Sequence, residues 1–395
     1  MRHPLRSICL AVILVAQAVA SAADPVFVNG LKFSGGLLDA TGKPGANAGR
    51  LGFFSDIYYD PNRDEWWALS DRGPGGGLLS YATRLQRFTL QVNPLTGRIS
   101  DFQVKQTIKF SDPKSLLFPF TDANREMNGL NPKLLHADAG ILGRSFDPEG
   151  LAIDPRSGHF IVADEYGPAL YEFDRKGRLL SIFEAPANLI PKVSGVVNFV
   201  AIRDDGLNAG RQDNRGYEGV AISPDGKKLF AVLQDPLVNE PSPNNGRNGR
   251  NVRIVVFDND YDSPTYQKSI AQYVYQLEPQ ADVKQRILDA GGSATDTDPR
   301  QGRNIGVSAI IAINDHEFLV IERDNRGIGV DDPKGLNVVG SKRVYKIDIT
   351  GATDVTNDAL PGGSLPAPIV PVTKSQDDVF IDFSANTLLP NGKQA

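Results

Sequence analysis

A chain of 395 residues with 41% hydrophobic content is long enough to bury a large core, as one big domain or two ordinary ones. Its formal net charge of −5 makes nucleic acid an unfavourable partner. The sequence contains 39 glycines and 27 prolines, mostly between short runs of β-forming residues, and no long segment of helical period. This composition predicts an all-β fold.

The N-terminal segment, residues 1–23, has the pattern of a secretory signal peptide. Arg2 and Arg6 precede a short apolar run, and Ala20-Ser21-Ala22 fits a cleavage site. The mature domain is predicted to span residues 24–395 and to be exported, periplasmic or secreted, without stable membrane insertion; an uncleaved anchor is the alternative. The single cysteine lies in the signal, so disulfides, thiol nucleophiles and cysteine-bound zinc are excluded from the mature chain.

The first part of the mature chain is predicted to begin with a strand over Phe27–Phe33 and a loop up to about residue 52. A first β-unit follows over residues 51–110, with outer strands at 84–92 and 99–108. Residues 111–145 are polar and interrupted by prolines, which predicts a long inserted loop with one short helix at most.

The stretch from Phe146 to Phe183 contains a complete small-sheet pattern. A hairpin with the turn Asp154–Gly158 leads to strands at 171–173 and 178–183, and about 40 residues of such strands are typical of one propeller blade. The hairpin recurs in two later units, which begin near Tyr217 and Val307. The complete pattern predicts a β-propeller of about five or six blades with long inserted loops.

The connections between these units are irregular. Residues 184–214 are predicted to be an irregular connection, and a short helix is predicted near residue 280 with Val283 and Ile287 on one side. Val379–Phe383 is the last predicted strand. No further Glu-Gly hairpin follows it, so we expect a truncated last blade.

Polar residues stand at matching places in the four hairpins. Those before the first strand are Ser55-Asp56, Glu149-Gly150, Glu218-Gly219 and Ser308-Ala309. Those after the second strand are Asp71-Arg72, Asp164-Glu165, Gln234-Asp235 and Glu322-Arg323. Because equivalent positions of successive blades converge on the propeller axis, these residues are predicted to line one polar mouth.

The residue types at this mouth predict hydrolytic chemistry. Clustered carboxylates suit a divalent cation, for which calcium is the expectation, and the predicted ligands are Glu149, Asp164, Glu165, Glu218 and Glu322. Carboxylates held together also have their pKa values pushed apart, which makes Glu149, Glu218 and Asp164 candidate catalytic acids and bases. Arg72 and Arg323, with Asp71, are predicted to bind the anionic substrate. Interblade ion pairs, and turn formation at Asp147 and Asp225, are the structural alternatives.

Four motifs in order resemble a known family. They are Ser55-Asp56 to Gly73, Asp147-Pro148-Glu149-Gly150 to Pro168, Asn214-Arg215-Gly216-Tyr217-Glu218-Gly219, and Val307-Ser308-Ala309 to Asp324. Over about residues 50–350 the chain is similar to the exported bacterial phytase-like family, known for esterase-like activity of phytase. The resemblance implies a β-propeller with phosphatase or esterase-like activity. The family pattern continues into a further Glu-Gly hairpin that this sequence lacks.

The leading functional prediction is therefore an exported, monomeric hydrolase of a phosphomonoester or other small-molecule ester. A non-catalytic propeller that binds an exported ligand or protein through the same mouth is the alternative. A calcium-dependent, lactonase-like propeller is a third possibility. Nucleophile-elbow, P-loop and Rossmann glycine motifs are absent from the sequence.

Overall fold

The computed structural model describes residues 28–42, 47–52, 54–113, 115, 125–135, 138–142, 144–240, 245–293, 305–324, 326, 338–356 and 368–383. The predicted signal segment, with Cys9, lies outside these residues. Within them the fold is all-β, as predicted, with four antiparallel sheets of four strands each.

Each sheet is a simple meander, in which every strand pairs with the next along the chain. Sheet 1 contains β1 (Phe54–Asp60), β2 (Glu65–Ser70), β3 (Arg84–Val92) and β4 (Ile99–Lys109). Sheet 2 contains β5 (Pro148–Ile153), β6 (Phe160–Asp164), β7 (Leu170–Phe173) and β8 (Leu179–Phe183). The strands match the alternating apolar runs of the sequence closely, because each run is bounded by Gly, Pro or Asp turns.

The second half of the chain repeats the arrangement. Sheet 3 contains β12 (Tyr217–Ile222), β13 (Lys228–Leu233), β14 (Asn251–Asp258) and β15 (Ser269–Gln276). Helix α1 (Gln280–Asp289) follows and buries Val283 and Ile287, which confirms the predicted helix. Sheet 4 contains β16 (Ile305–Ala312), β17 (Glu317–Asp324), β18 (Lys342–Asp348) and β19 (Thr373–Asp382).

Two connections differ from the sequence predictions. Residues 28–33 form no strand, because Asn29 pairs with Ile99 of β4 through its side-chain amide, at 2.9 Å in both directions, and not through a backbone ladder. Residues 184–214 are more ordered than expected. They contain a small three-stranded sheet and one 3-10 turn, Arg203–Asp205, and the strands are β9 (Lys192–Val193), β10 (Val196–Val197) and β11 (Leu207–Ala209).

The first strands of the four sheets pack side by side. Strand β5 lies between β1 and β12, and β12 lies between β5 and β16. Aromatic pairs support this arrangement: the ring centroids of Trp67 and Phe160 are 4.8 Å apart between sheets 1 and 2, and those of Phe230 and Phe318 are 4.6 Å apart between sheets 3 and 4. The ends of these inner strands are therefore brought together.

Candidate functional site

In each of the four sheets, the hairpin formed by the first two strands has a β-bulge near the start of its first strand. In each case the register passes over one residue, which is left without a partner on the second strand. A bulged residue leaves the ladder, so its side chain is re-aimed. The four bulged residues are Ser55, Glu149, Glu218 and Ser308. Their equivalent placement agrees with the matching positions read from the sequence.

The glycine after each bulged glutamate allows the inner strands to approach closely. A Cβ on Gly150 would lie 2.6 Å from Cα of Gly219, and a Cβ on Gly219 would lie 3.0 Å from the backbone nitrogen of Ile310. The first distance is too short for a side chain and the second is tighter than most Cβ contacts, so β5 touches β12, and β12 closely approaches β16, along their backbones. This contact brings Glu149 and Glu218 to the same end of adjacent sheets.

The register of each hairpin also determines which residues near the end of the second strand occupy equivalent positions in the four sheets. The residues that pair with the position before the bulge are Ser70, Asp164, Leu233 and Glu322. The next residues along the chain are Asp71, Glu165, Gln234 and Arg323. Since adjacent side chains point to opposite sides of a strand, this second set forms one group and the first set points away from it.

Asp164 is buried behind the turn that follows β6. Its carboxylate accepts hydrogen bonds from the backbone N–H groups of Asp147 (3.0 Å), Tyr166 (3.2 Å) and Gly167 (3.0 Å). Burial raises its pKa to about 8, against the opposing effect of these donors. The residue predicted as catalytic and metal-binding thus holds the turn that carries Glu165.

Glu322 is not brought together with the other predicted ligands. Its carboxylate accepts from the Tyr275 hydroxyl (2.8 Å) and the Glu278 N–H (2.7 Å), and it forms an ion pair with Lys374 (2.6 Å). Glu322 pairs with the residue before the bulge, so its side chain lies inside sheet 4. The next residue, Arg323, occupies the position at the end where the inner strands come together.

Three carboxylates form the centre of the site, which we call the carboxylate cluster: Asp147, Glu149 and Glu165. One oxygen from each lies within 4.8 Å of the others. Asp147 is fully buried and Glu165 is 3% exposed. The Oδ1 atom of Asp147 is buried and has no hydrogen-bond partner among the described residues. Oxygen donors at this spacing could hold a divalent cation.

Arg72 lies against one side of this cluster. Its Nη1 is 2.9 Å from Oδ2 of Asp147 and 4.0 Å from Oε2 of Glu165, and it also donates to the side-chain oxygen of Asn214. The arginine side chain remains 26% exposed. It therefore neutralises part of the cluster and still faces solvent.

Glu218 lies on the other side of the cluster, among residues of sheets 3 and 4. Its Oε1 accepts from the side-chain amide of Gln234 (3.2 Å) and from Nη2 of Arg323 (3.4 Å). Arg323 also donates to the Ser308 hydroxyl at 2.7 Å. The second carboxylate oxygen of Glu218 is buried and unpaired among the described residues.

Burial and mutual repulsion perturb the acids of the site. Burial raises the pKa of Glu218 to about 7, although Arg323 and Arg215 oppose the shift. Burial and the charge of Asp147 raise the pKa of Asp71 to about 7. The pKa values of Glu149 and Glu165 are also well above the usual range, because of burial first and neighbouring carboxylates second. The group as a whole is short of positive charge.

Sequence reasoning missed the central position of Asp147. In the sequence, Asp147-Pro148-Glu149-Gly150 reads as a turn, although Asp147 stands two residues before Glu149 and so on the same side of an extended chain. Gln234 and Ser308 were predicted to line the same mouth as Glu218, but their direct contacts with its carboxylate were not predicted. Nothing in their residue types indicates these contacts before the sheets are packed together.

Together, the packed β-sheets and the buried acids define an all-β protein with a carboxylate- and arginine-lined site at the ends of its inner strands. The chain belongs to the Phytase-like family, described as "Esterase-like activity of phytase", whose model matches residues 49–385. The family resemblance read from the sequence is therefore confirmed.

Individual relatives are more distant. The chain is 30% identical over 234 residues to an uncharacterized secreted protein of Arthroderma benhamiae. This match covers 51% of the chain and 45% of the relative, so the chain spans about half the length of that curated protein. In the described residues, no helix is both long and apolar enough to cross a membrane.

Two solved structures share a weak likeness. The periplasmic gluconolactonase of Pseudomonas aeruginosa matches with 13% identity and a TM-score of 0.29, over 74% of this chain and 67% of that one. A putative 6-phosphogluconolactonase from Bacteroides uniformis matches with 13% identity and a TM-score of 0.30, over 86% and 75%. Neither likeness bears on the fold or the activity of this chain at such scores.

Proposed function

We propose that this chain is an exported hydrolase of esters or phosphoesters, with its active site at the mouth of a β-propeller that includes the four meander sheets. The observation that carries the proposal is the group of buried, insufficiently neutralised carboxylates beside partly exposed arginines. Such a combination costs stability and is typical of sites that bind a cation and an anionic substrate.

A divalent cation, with calcium as the expectation, fits Asp147, Glu149 and Glu165. The unpaired Oδ1 of Asp147 supports this assignment, because a buried carboxylate oxygen needs a partner. When bound, the cation would supply Lewis-acid polarisation of the substrate and a lower pKa for an adjacent water. Asp164 does not belong to this proposed ligand set and acts by positioning Glu165.

Arg72 and Arg323 would bind the anionic oxygens of the substrate from opposite sides. Both side chains are 26% exposed, and both are anchored through a carboxylate of the site. Guanidinium groups form directional pairs with phosphate or carboxylate oxygens and also stabilise negative charge that develops during acyl or phosphoryl transfer.

Glu218 and Asp71 are suited to proton transfer near neutral pH, because both pKa values are raised to about 7. In the proposed reaction, the oxygen of water forms a bond to the carbonyl carbon or phosphorus while Glu218 accepts a proton from that water. The bond to the alcohol oxygen breaks, and Asp71 donates the proton that the departing alcohol takes up.

Export is part of the proposal. The signal pattern of residues 1–23 supports it, as does the secreted relative. The mature protein would act on a small-molecule substrate as a monomer, outside the cytoplasm.

Hydrolysis of p-nitrophenyl phosphate, p-nitrophenyl acetate and phytate, with added Ca²⁺ or EDTA, tests the proposal. We expect turnover that EDTA removes and that Glu149→Gln reduces at least about 100-fold. Glu317→Gln is the matched control, because Glu317 lies on β17 and pairs with Lys346 away from the site. A folded protein that binds Ca²⁺ but hydrolyses none of the three substrates would refute the hydrolase and favour a binding module.

A further inference from the structure

A large apolar cavity lies beside the proposed active site. It has a volume of about 520 Å³, within the range of small-molecule sites. Among the described residues, its walls are formed by hydrophobic side chains, glycine, alanine and proline, with one charged residue, Glu184, which is exposed. The larger side chains that line it are Ile141, Leu142, Ile182, Ile190, Val197 and Phe199. Such a lining suits a hydrocarbon group and not a phosphate.

The cavity and the carboxylate cluster lie at the same end of sheet 2. Pro148, at the start of β5, pairs with Asp164 at the end of β6, and Leu170, at the start of β7, pairs with Phe183 at the end of β8. Pro168 and Ala169 in the β6–β7 turn line the cavity, whereas Glu165 of the same turn belongs to the cluster. One short turn therefore separates the two sites.

A buried arginine holds this turn and the far wall of the cavity together. Arg211 is 2% exposed, and it donates from Nε to the carbonyl of Tyr166 (2.9 Å) and from Nη2 to the carbonyl of Phe199 (3.0 Å). The N–H of Phe199 in turn donates to the carbonyl of Ala139 at 2.9 Å. The walls are thus fixed relative to the carboxylate cluster before any ligand arrives.

A small void of about 10 Å³ lies next to the large cavity, on the side of the β6–β7 turn. It shares Leu142 and Phe199 with the large cavity and is also lined by Asp164, Tyr166 and Gly167. The β6–β7 turn is thus bordered by cavity on one side and by the carboxylate cluster on the other.

We propose that the large cavity is a subsite for the hydrocarbon part of an amphiphilic ester, such as a medium-length acyl chain, whose ester or phosphoester group is held at the carboxylate cluster. This proposal rests on the proposed hydrolase function and narrows its substrate class. A highly charged substrate without an apolar group, such as phytate, would leave the cavity unused.

The substrate preference of the mature full-length protein tests the subsite. We compare kcat/KM for p-nitrophenyl octanoate with that for p-nitrophenyl acetate. Burying one methylene group corresponds to roughly a fourfold gain, so burial of only half of the additional methylene groups of octanoate predicts a wild-type ratio of about 60.

Two neighbouring residues of β10 provide a matched pair of variants. Val197 lines the cavity, whereas Val196 is 70% exposed. Val197→Trp should fill the cavity and lower the octanoate-to-acetate ratio at least about tenfold, while Val196→Trp should keep the wild-type ratio. Ile141→Trp, at another lining residue, serves as a second filling variant if Val197→Trp does not fold.

Equal hydrolysis of both esters, or the same change in ratio for Val196→Trp and the filling variants, would overturn the subsite while leaving the hydrolase intact. If the protein hydrolyses neither carboxyl esters nor phosphoesters, the proposed function fails, and binding of the fluorescent probe N-phenyl-1-naphthylamine then tests the cavity separately. The cavity would remain an apolar ligand site if octanoate displaces this probe from the wild type and Val196→Trp but not from Val197→Trp. Absence of displaceable probe binding, as when another segment of this chain fills the cavity, would overturn it.

Discussion

Two groups of buried acids in this protein differ in how completely they are neutralised. Glu278, between β15 and α1, is fully buried and is contacted by Arg286 (2.5 Å), Arg343 (3.1 Å) and the Ser341 hydroxyl (2.7 Å). Burial alone would raise its pKa, but the hydrogen bonds and cations outweigh burial and lower it. Neighbouring Glu322 has three partners of its own.

In the carboxylate cluster, by contrast, the acids are incompletely neutralised. Arg72 contacts Asp147 and Glu165, and the pKa values of Glu149 and Glu165 are raised. Burial of an acid is therefore not the mark of a functional site in this fold. An incomplete set of hydrogen-bond and ion-pair partners is the better indicator, because a ligand can supply the missing partners.

The largest effect is expected from Glu165→Gln. This change removes one charge from the carboxylate cluster, so we expect about a 1,000-fold loss of kcat/KM, worth ~4 kcal/mol, for ester hydrolysis. The free energy of unfolding should stay the same or rise, since repulsion among the acids is relieved. Parallel kinetics and urea denaturation measure both quantities; a strongly destabilised variant would contradict the functional interpretation of the cluster.

Glu322→Gln should show the reverse pattern. It leaves the 6% exposed Lys374 ammonium without its carboxylate, so we expect a loss of about 3 kcal/mol in the free energy of unfolding and little change in kcat/KM. The double variant with Lys374→Met should recover part of this loss, because the unpaired buried charge is gone. A large loss of activity in a well-folded Glu322→Gln protein would show that the two groups of acids are not separate.

Calcium should distinguish the groups by its effect on stability. At a concentration 100 times the dissociation constant, a cation that binds only the folded state adds about 2.7 kcal/mol to the free energy of unfolding. We expect a rise in Tm with Ca²⁺ that Glu149→Gln removes and Glu322→Gln retains, as measured by thermal denaturation. The same rise in both variants would place the cation elsewhere.

The smallest expected effect is on the pH dependence of stability in EDTA. The pKa of Glu218 in the folded protein is about 7, above its usual value of 4.5, so the folded state binds more protons between these pH values. Its contribution to stability is therefore complete below about pH 4.5 and is lost as the pH rises through 7. Glu218→Gln should flatten this decline, by an amount on the order of 1 kcal/mol, in urea denaturation at a series of pH values.

Much of the fold could be predicted from local sequence. Strand β3 lies at residues 84–92 as predicted, and α1 buries Val283 and Ile287, because period and turn residues carry this information. The predicted strand over Phe27–Phe33 was wrong for residues 28–33, where a side-chain amide takes the place of the backbone ladder. The β-propeller and its number of blades stay predictions.

The sequence by itself determined the hairpins, the polar residues at their ends and the Glu-Gly pairs, since each depends on residues close together in the chain. Only the tertiary structure decided that Glu165 belongs to the carboxylate cluster while Asp164 lies behind it, and that Arg323 takes the place expected for Glu322. The reason is that side chains alternate along a strand and a bulge shifts the register by one residue. Which of two adjacent charged residues faces the site therefore depends on strand pairing, which a list of residue types does not contain.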